Sequence, residues 1–246
     1  MMNRIKISPL ASQANADTVV ESAVRQASPI SKPLSNRDQY SLFVPLHYEK
    51  KYAYPLIVWL HADGKTANQV QEVMLDLSMR NYVAIAPQSS HGNNKAGYFW
   101  DQNWDTIEHA HQSVTAAIDC ARARCNIHSN RIYIAGMGSG GTMAFRIGFS
   151  HPELFAGIVS IHGPLPTGLS PLRDWTRCRK LPIYWTHARS SSEFDQDQLC
   201  RQLKLLHIAG FTVNLRQYTQ IDSTCPQMMC DMNRWIMEMI STAVID

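Results

Sequence analysis

Residues 131–149 read RIYIAGMGSGGTMAFRIGF. A β-rich run, Arg131–Ala135, enters Gly136-Met137-Gly138-Ser139-Gly140-Gly141 and passes straight into residues with helical periodicity. Two chemistries use a strand, a glycine turn and a helix in that order. One is dinucleotide binding, because Gly136, Gly138 and Gly141 match G-x-G-x-x-G. It also requires an acidic residue near the end of the next strand to hold a ribose. That strand, Gly157–Ile161, runs into His162-Gly163 and offers no carboxylate. The other is the nucleophile elbow, G-x-S-x-G, which presents an attacking side chain at the top of a sheet.

Outward from this turn, short apolar runs alternate with helical stretches. Tyr54–Leu60 (YPLIVWL) is continuously apolar, as in a strand covered on both faces. Tyr82–Pro87, Gly157–Ile161, Leu181–Trp185 and Thr212–Tyr218 read the same way, and Tyr40–Pro45 reads as an edge strand. Helices are expected at 70–80, 107–126, 140–149, 193–209 and 226–242. Pro226 suits a first helical turn, and Gly210 suits the position just past a helix. The alternation predicts an α/β fold: a mostly parallel central sheet with helices on both faces and a ligand site at the carboxyl ends of the strands. Residues 1–38 are polar and without period and are expected to form a flexible N-terminal tail, leaving 39–246 as one domain.

The chain has 246 residues, 45% of them hydrophobic and 17% charged, which excludes a disordered chain and a coiled coil. No apolar run approaches the ~20 residues a bilayer requires, so no membrane partner is expected. The net charge of +3 is too small for a phosphate-binding stripe, which argues against nucleic acid. Six cysteines without a C-x-x-C pair are too sparse for a disulfide scaffold. With no apolar leader at the N-terminus, the expectation is a cytoplasmic protein with reduced thiols.

The stretch from Arg131 to Gly163, through GGTMAFRIGFSHPELFAGIVSIHG, resembles the α/β-hydrolase superfamily. It is most similar to the phospholipase/carboxylesterase group of small serine esterases, with polyhydroxybutyrate-depolymerase-like esterases nearby. YSLFVP, YPLIVWLHADG and YVAIAPQ follow that family's early strands and oxyanion loop. LPIYWTHA, LLHIAGFTVNLRQY and MNRWIMEMI follow its late strands and final helix, so the resemblance spans roughly 40–240. The resemblance implies an α/β-hydrolase fold and carboxylic-ester hydrolysis by a Ser–acid–His triad.

The chain departs from that pattern where the chemistry resides. The elbow position of the attacking serine is Gly138. The acid slot falls near Ser191, with Glu193, Asp195 and Asp197 close by, and the base slot falls near Asp222. His207 is the last histidine of the sequence, so the loop after the last strand brings no imidazole. The usual His-Gly pair of the oxyanion loop reads His61-Ala62, followed by Asp63-Gly64. Backbone N–H groups near Ala62 or Asp63 and at Ser139 are the oxyanion candidates, and an inward Asp63 carboxylate would oppose a developing negative charge. Loss of a triad nucleophile or base costs on the order of 10⁶ in kcat. The leading expectation is therefore a pseudo-esterase that binds a small acyl or aromatic ligand or a protein partner without catalysis, the helix N-terminus at 138–141 accepting an anion or a carbonyl.

Two alternatives stand beside it: an active carboxylic-ester hydrolase with a rearranged site, and a nucleotide-binding module built on Gly136–Gly141. In the first, Ser139 is the substitute nucleophile, with His162, His187 or His61 as its base. Trp100 and Trp104 in GYFWDQNWD are candidate walls for an acyl or aryl group, the alternative being a loop that folds back to cover the edge of the core. His109-x-His111 reads as a solvated helix start, and Cys225 and Cys230 as inert thiols. No metal-ligand spacing appears, so no metal and no cofactor are expected.

Overall fold

A computed structural model describes residues 6–7, 40–93, 95–168, 175–191, 194–219 and 225–242. Ten strands and six helices fall among them: β1 (Lys6–Ile7), β2 (Tyr40–Phe43), β3 (Tyr54–Leu60), α1 (Gln69–Leu77), β4 (Val83–Pro87), β5 (His91–Asn93), β6 (Gly97–Phe99), α2 (Trp104–Arg124), β7 (Ile127–Met137), α3 (Ser139–Ser150), β8 (Gly157–Ile161), α4 (Trp175–Cys178), β9 (Ile183–Ala188), α5 (Gln196–Ile208), β10 (Val213–Tyr218) and α6 (Pro226–Thr242). Eight strands form one sheet in the order β1-β10-β9-β8-β7-β3-β4-β2. All pairings are parallel except that of β2 with β4. β5 and β6 form a separate hairpin.

The pleat sorts the apolar runs onto two faces. Leu56, Val58 and Leu60 of β3, with Val83 and Ile85 of β4 and Ile132 and Ile134 of β7, pack on the face covered by α2, α3 and α5. Ile57 and Trp59, with Ala84, Ala86, Tyr133 and Ala135, pack on the face covered by α1 and α6. Period two therefore feeds two separate cores, which is why YPLIVWL carries no polar residue. Met228, Met229 and Met232 of α6 lie in the second core, where unbranched side chains fill the irregular space around Trp235.

Helix ends follow their local chemistry. The Asn103 side chain accepts from Thr106 N–H at 2.9 Å and starts α2, and Arg122 and Arg124 occupy its last turn. Asp195 caps α5 by accepting from Gln198 N–H at 2.6 Å. Helix bounds differ from the periodic stretches by a few residues because fraying ends carry little apolar signal.

Lys6 and Ile7 extend the sheet beside β10, although they belong to the segment read as a tail. The rest of 1–38 lies outside the described residues. No described helix is long and apolar enough to cross a membrane.

Candidate active site at the carboxyl ends of the strands

β7 ends at Met137 and α3 begins at Ser139, leaving Gly138 as the whole turn. Its φ of 58° and ψ of −125° lie where an L side chain is strained. The N–H of Gly138 donates to the Ile161 carbonyl at 2.9 Å, which ties the turn to the end of β8. A Cβ on Gly140 would run into the Leu60 carbonyl, so glycine there lets α3 approach β3 closely. The backbone of a nucleophile elbow is thus complete, with a hydrogen atom in the side-chain position.

The space in front of Gly138 is taken by Asp63. A Cβ at Gly138 would lie 2.6 Å from Asp63 Oδ2, and that oxygen accepts the Ser139 N–H at 2.9 Å. A carboxylate therefore holds the first N–H of α3, where the positive end of the helix dipole favours it. Ala62 is similarly engaged: its N–H donates to Gln69 Oε1 at 2.8 Å. Gln69 is buried and also accepts from Trp59 Nε1 at 3.2 Å. Two of the N–H groups expected to face an oxyanion are satisfied by side chains of the protein. The expectation that this helix end accepts an anion or a carbonyl meets a position already filled by an anion. A pyrophosphate over the Gly136–Gly141 turn would meet the same carboxylate.

Ser139, the substitute nucleophile, has its hydroxyl in a structural contact, with Oγ accepting Trp100 N–H at 3.0 Å. None of the three candidate bases is hydrogen-bonded to it. His61 is fully buried; its Nδ1–H donates to the Ala62 carbonyl at 3.0 Å, and its Nε2 accepts from Ser89 N–H at 3.2 Å. Burial lowers its pKa, so the ring is a neutral spacer beneath the loop. His187 donates from Nε2 to the Phe194 carbonyl at 2.8 Å. His162 follows β8 with a φ of 57° and lines the cleft. Its pKa is lowered to about 4, chiefly by burial and then by His187. Its Nδ1 lies 3.4 Å from Thr186 Oγ1, and its Nε2 has no hydrogen-bond partner among the described residues. Thr186 is fully buried in β9, and its hydroxyl already accepts the His162 N–H at 3.2 Å, so it is not an attacking group open to the cleft.

The acid slot holds Ser191, whose Oγ accepts Phe194 N–H at 3.1 Å and closes the turn before α5. Asp195 is used as a helix cap, Asp197 is exposed, and Glu193 and Asp222 lie outside the described residues.

Asp63, Gly138, Ser139, His162, Phe194 and Ser191 are among the residues lining one cleft of about 800 Å³. Trp100 and Trp104 are not, so the aromatic wall is not formed by them, and Trp100 instead follows the alternative of a loop folded back on the core. Trp100 is buried in the first core, where Nε1–H donates to the His61 carbonyl at 3.0 Å and the ring packs 5.1 Å from the His61 ring. Trp104, the first residue of α2, is 66% exposed because that helix turns its other face to the sheet. His111 also differs from a solvated helix residue, since its ring stacks on His151 with centroids 4.0 Å apart. Cys225 packs at the edge of the second core, Cys230 is exposed, and no disulfide joins any of the six cysteines. Among the described residues, no group of three His, Cys, Asp or Glu is placed to hold a metal.

Two contributors to the site carry no sequence signal of their own. Gln69 reads as an ordinary polar residue at the start of an amphipathic helix. Arg146 is buried in α3 and holds the cleft wall: its guanidinium donates to Gln102 Oε1 at 2.9 Å and to the Thr167 carbonyl at 2.9 Å.

Comparison with known proteins places this geometry. Residues 49–240 match the model of the family described as Phospholipase/Carboxylesterase. NocK of Nocardia uniformis subsp. tsuyamanensis is 32% identical over 69 residues, which is 28% of this chain and 20% of NocK, so the match spans about a fifth of that protein's length. Among solved structures, Arabidopsis thaliana SOBER1 superposes with a TM-score of 0.65 at 18% identity, covering 76% of this chain and all of that one. Zea mays acyl-protein thioesterase 2 gives a TM-score of 0.60 at 17% identity over 81% of this chain and 98% of its own. A phospholipase/carboxylesterase from Dyadobacter fermentans gives 0.61 at 16% identity over 81% and 96%. Likeness at these identities speaks to the fold, and the family match to descent: the chain belongs to the phospholipase/carboxylesterase family of α/β-hydrolases.

Proposed function

We propose that this family member binds a small molecule in the inherited cleft without hydrolysing esters. The observation that carries the reading is the pairing of Gly138 with Asp63. The elbow has no attacking atom, and a carboxylate 2.6 Å from the would-be Cβ holds the neighbouring N–H. Acyl transfer requires negative charge to develop on an oxygen beside those donors. Here it would develop against a fixed negative charge. Ser139 and the three histidines named as rescuers are each engaged elsewhere or unbonded to one another, which removes the hydrogen-bonded nucleophile–base pair that activation needs.

The experiment is turnover of p-nitrophenyl acetate and butyrate by the full chain. The reading predicts release no faster than with an equal concentration of the Ser139→Ala protein. Saturable release that Ser139→Ala abolishes supports the alternative, a carboxylic-ester hydrolase with a rearranged site, and overturns the proposal.

A further inference from the structure

The cleft that lost its nucleophile also changed the sign of what it offers a ligand. An esterase floor presents N–H donors to an acceptor. In this chain the Ser139 N–H is spent on Asp63, and the Ala62 N–H on Gln69. Gln69 cannot swing away cheaply, because it is buried and Trp59 Nε1–H would lose its acceptor with it. The group exposed in their place is the Asp63 carboxylate, which has no ion-pair partner among the described residues. Among the described residues, the other charged members of the lining are Glu72 and Lys65. His162 is held neutral by burial, so the described residues of the lining carry a net charge of about −1 at neutral pH. Arg146 stands behind the wall with its donors directed to Gln102, Thr167 and Gly168, not into the cleft. The same lining includes apolar residues, Met137, Leu165 and Phe194.

We propose that the cleft binds a small organic cation, a primary ammonium or amidinium group on an apolar body, with the Asp63 carboxylate as its direct partner. This rests on the non-catalytic reading above and names the ligand class for the same site. Asp63 Oδ2 stays on the Ser139 N–H while the other lone pairs of the carboxylate accept from the cation. The apolar body lies towards Leu165 and Phe194. A carboxylate or acyl ligand of the same shape finds no unspent donor at Ser139 or Ala62 and meets repulsion from Asp63.

The test uses two probes of similar shape and opposite charge, phenethylammonium and 3-phenylpropanoate, titrated calorimetrically into the full chain at constant ionic strength. Phenethylammonium is expected to bind at least tenfold more tightly than 3-phenylpropanoate. Asp63→Asn keeps an oxygen for Ser139 N–H and removes the charge; it is expected to weaken phenethylammonium at least tenfold while lowering the melting temperature by no more than about 4 °C. Asp63→Ala frees the Ser139 N–H and is expected to raise the affinity for 3-phenylpropanoate. Equal affinity for the two probes, binding of neither, or phenethylammonium affinity unaffected by Asp63→Asn overturns the inference. Ester turnover is read separately: its appearance refutes the non-catalytic reading, whereas the probe ratio alone decides the charge preference.

Discussion

Restoring a serine at the elbow provides the most informative perturbation. Gly138→Ser forces an L residue to φ 58° and ψ −125°, a conformation costing about 2 kcal/mol within the usual 1–3 range. Its Cβ would also lie 2.6 Å from Asp63 Oδ2, so the carboxylate must leave. That breaks the 2.9 Å bond from Ser139 N–H, worth about 1 kcal/mol for a partly solvated charge-assisted contact. The single variant should lose about 3 kcal/mol, or roughly 6–12 °C in Tm for a domain of this size. In an Asp63→Ala background the second component is already gone, and Gly138→Ser should cost about 2 kcal/mol. The four proteins form a double-mutant cycle with a coupling of about 1 kcal/mol, outside the ~0.5 kcal/mol scatter of independent sites. Chemical denaturation with a common m-value measures it. The same cost in both backgrounds, or a Gly138→Ser protein as stable as the parent, would refute the contact on which the site description rests. Esterase activity should stay at background in all four, because no base accompanies the new hydroxyl.

Further outcomes follow from the same geometry. Gln69→Leu strands the Trp59 and Ala62 N–H groups and should destabilise by about 2–4 kcal/mol, read by denaturation. Trp100→Ala should cost about 3–5 kcal/mol, whereas Trp104→Ala, at an exposed position, should stay within about 0.5 kcal/mol. The unfolded chain protonates His162 near pH 6.5 and the folded chain only near pH 4. Its neutral form is thus favoured by folding: the stabilisation is complete above pH 6.5 and is lost as pH falls towards 4. The loss from this one group is about 3 kcal/mol at most, and His162→Asn should flatten the profile over that interval.

Much of the fold was legible because it is written in periodicity. Tyr54–Leu60, Gly157–Ile161 and Pro226–Thr242 stand as strand, strand and helix with those very bounds, since a sheet covered on both faces leaves unbroken apolar runs. The β5–β6 hairpin was not legible: HGN and GYF are three residues each, with no buried face to impose alternation. Trp100 and Trp104 illustrate a second limit. They sit four residues apart with similar neighbours, and only the packing of His61 beneath one of them separates a core residue from a surface one. The missing serine at Gly138 was visible in the motif itself. What fills its place was not, because Asp63 and Ser139 are 76 positions apart and nothing local fixes where an aspartate in a loop points. Gln69 was missed for the same reason, as one polar residue among several at the start of α1.

No activated hydroxyl or thiol should stand at the mouth of the β7–α3 turn. Exposure of the native full chain to a fluorophosphonate, followed by intact mass measurement, addresses it without a choice of substrate. The mass should be unchanged after an exposure that fully labels an active serine esterase. A stoichiometric phosphonyl adduct mapped to Ser139 would contradict it.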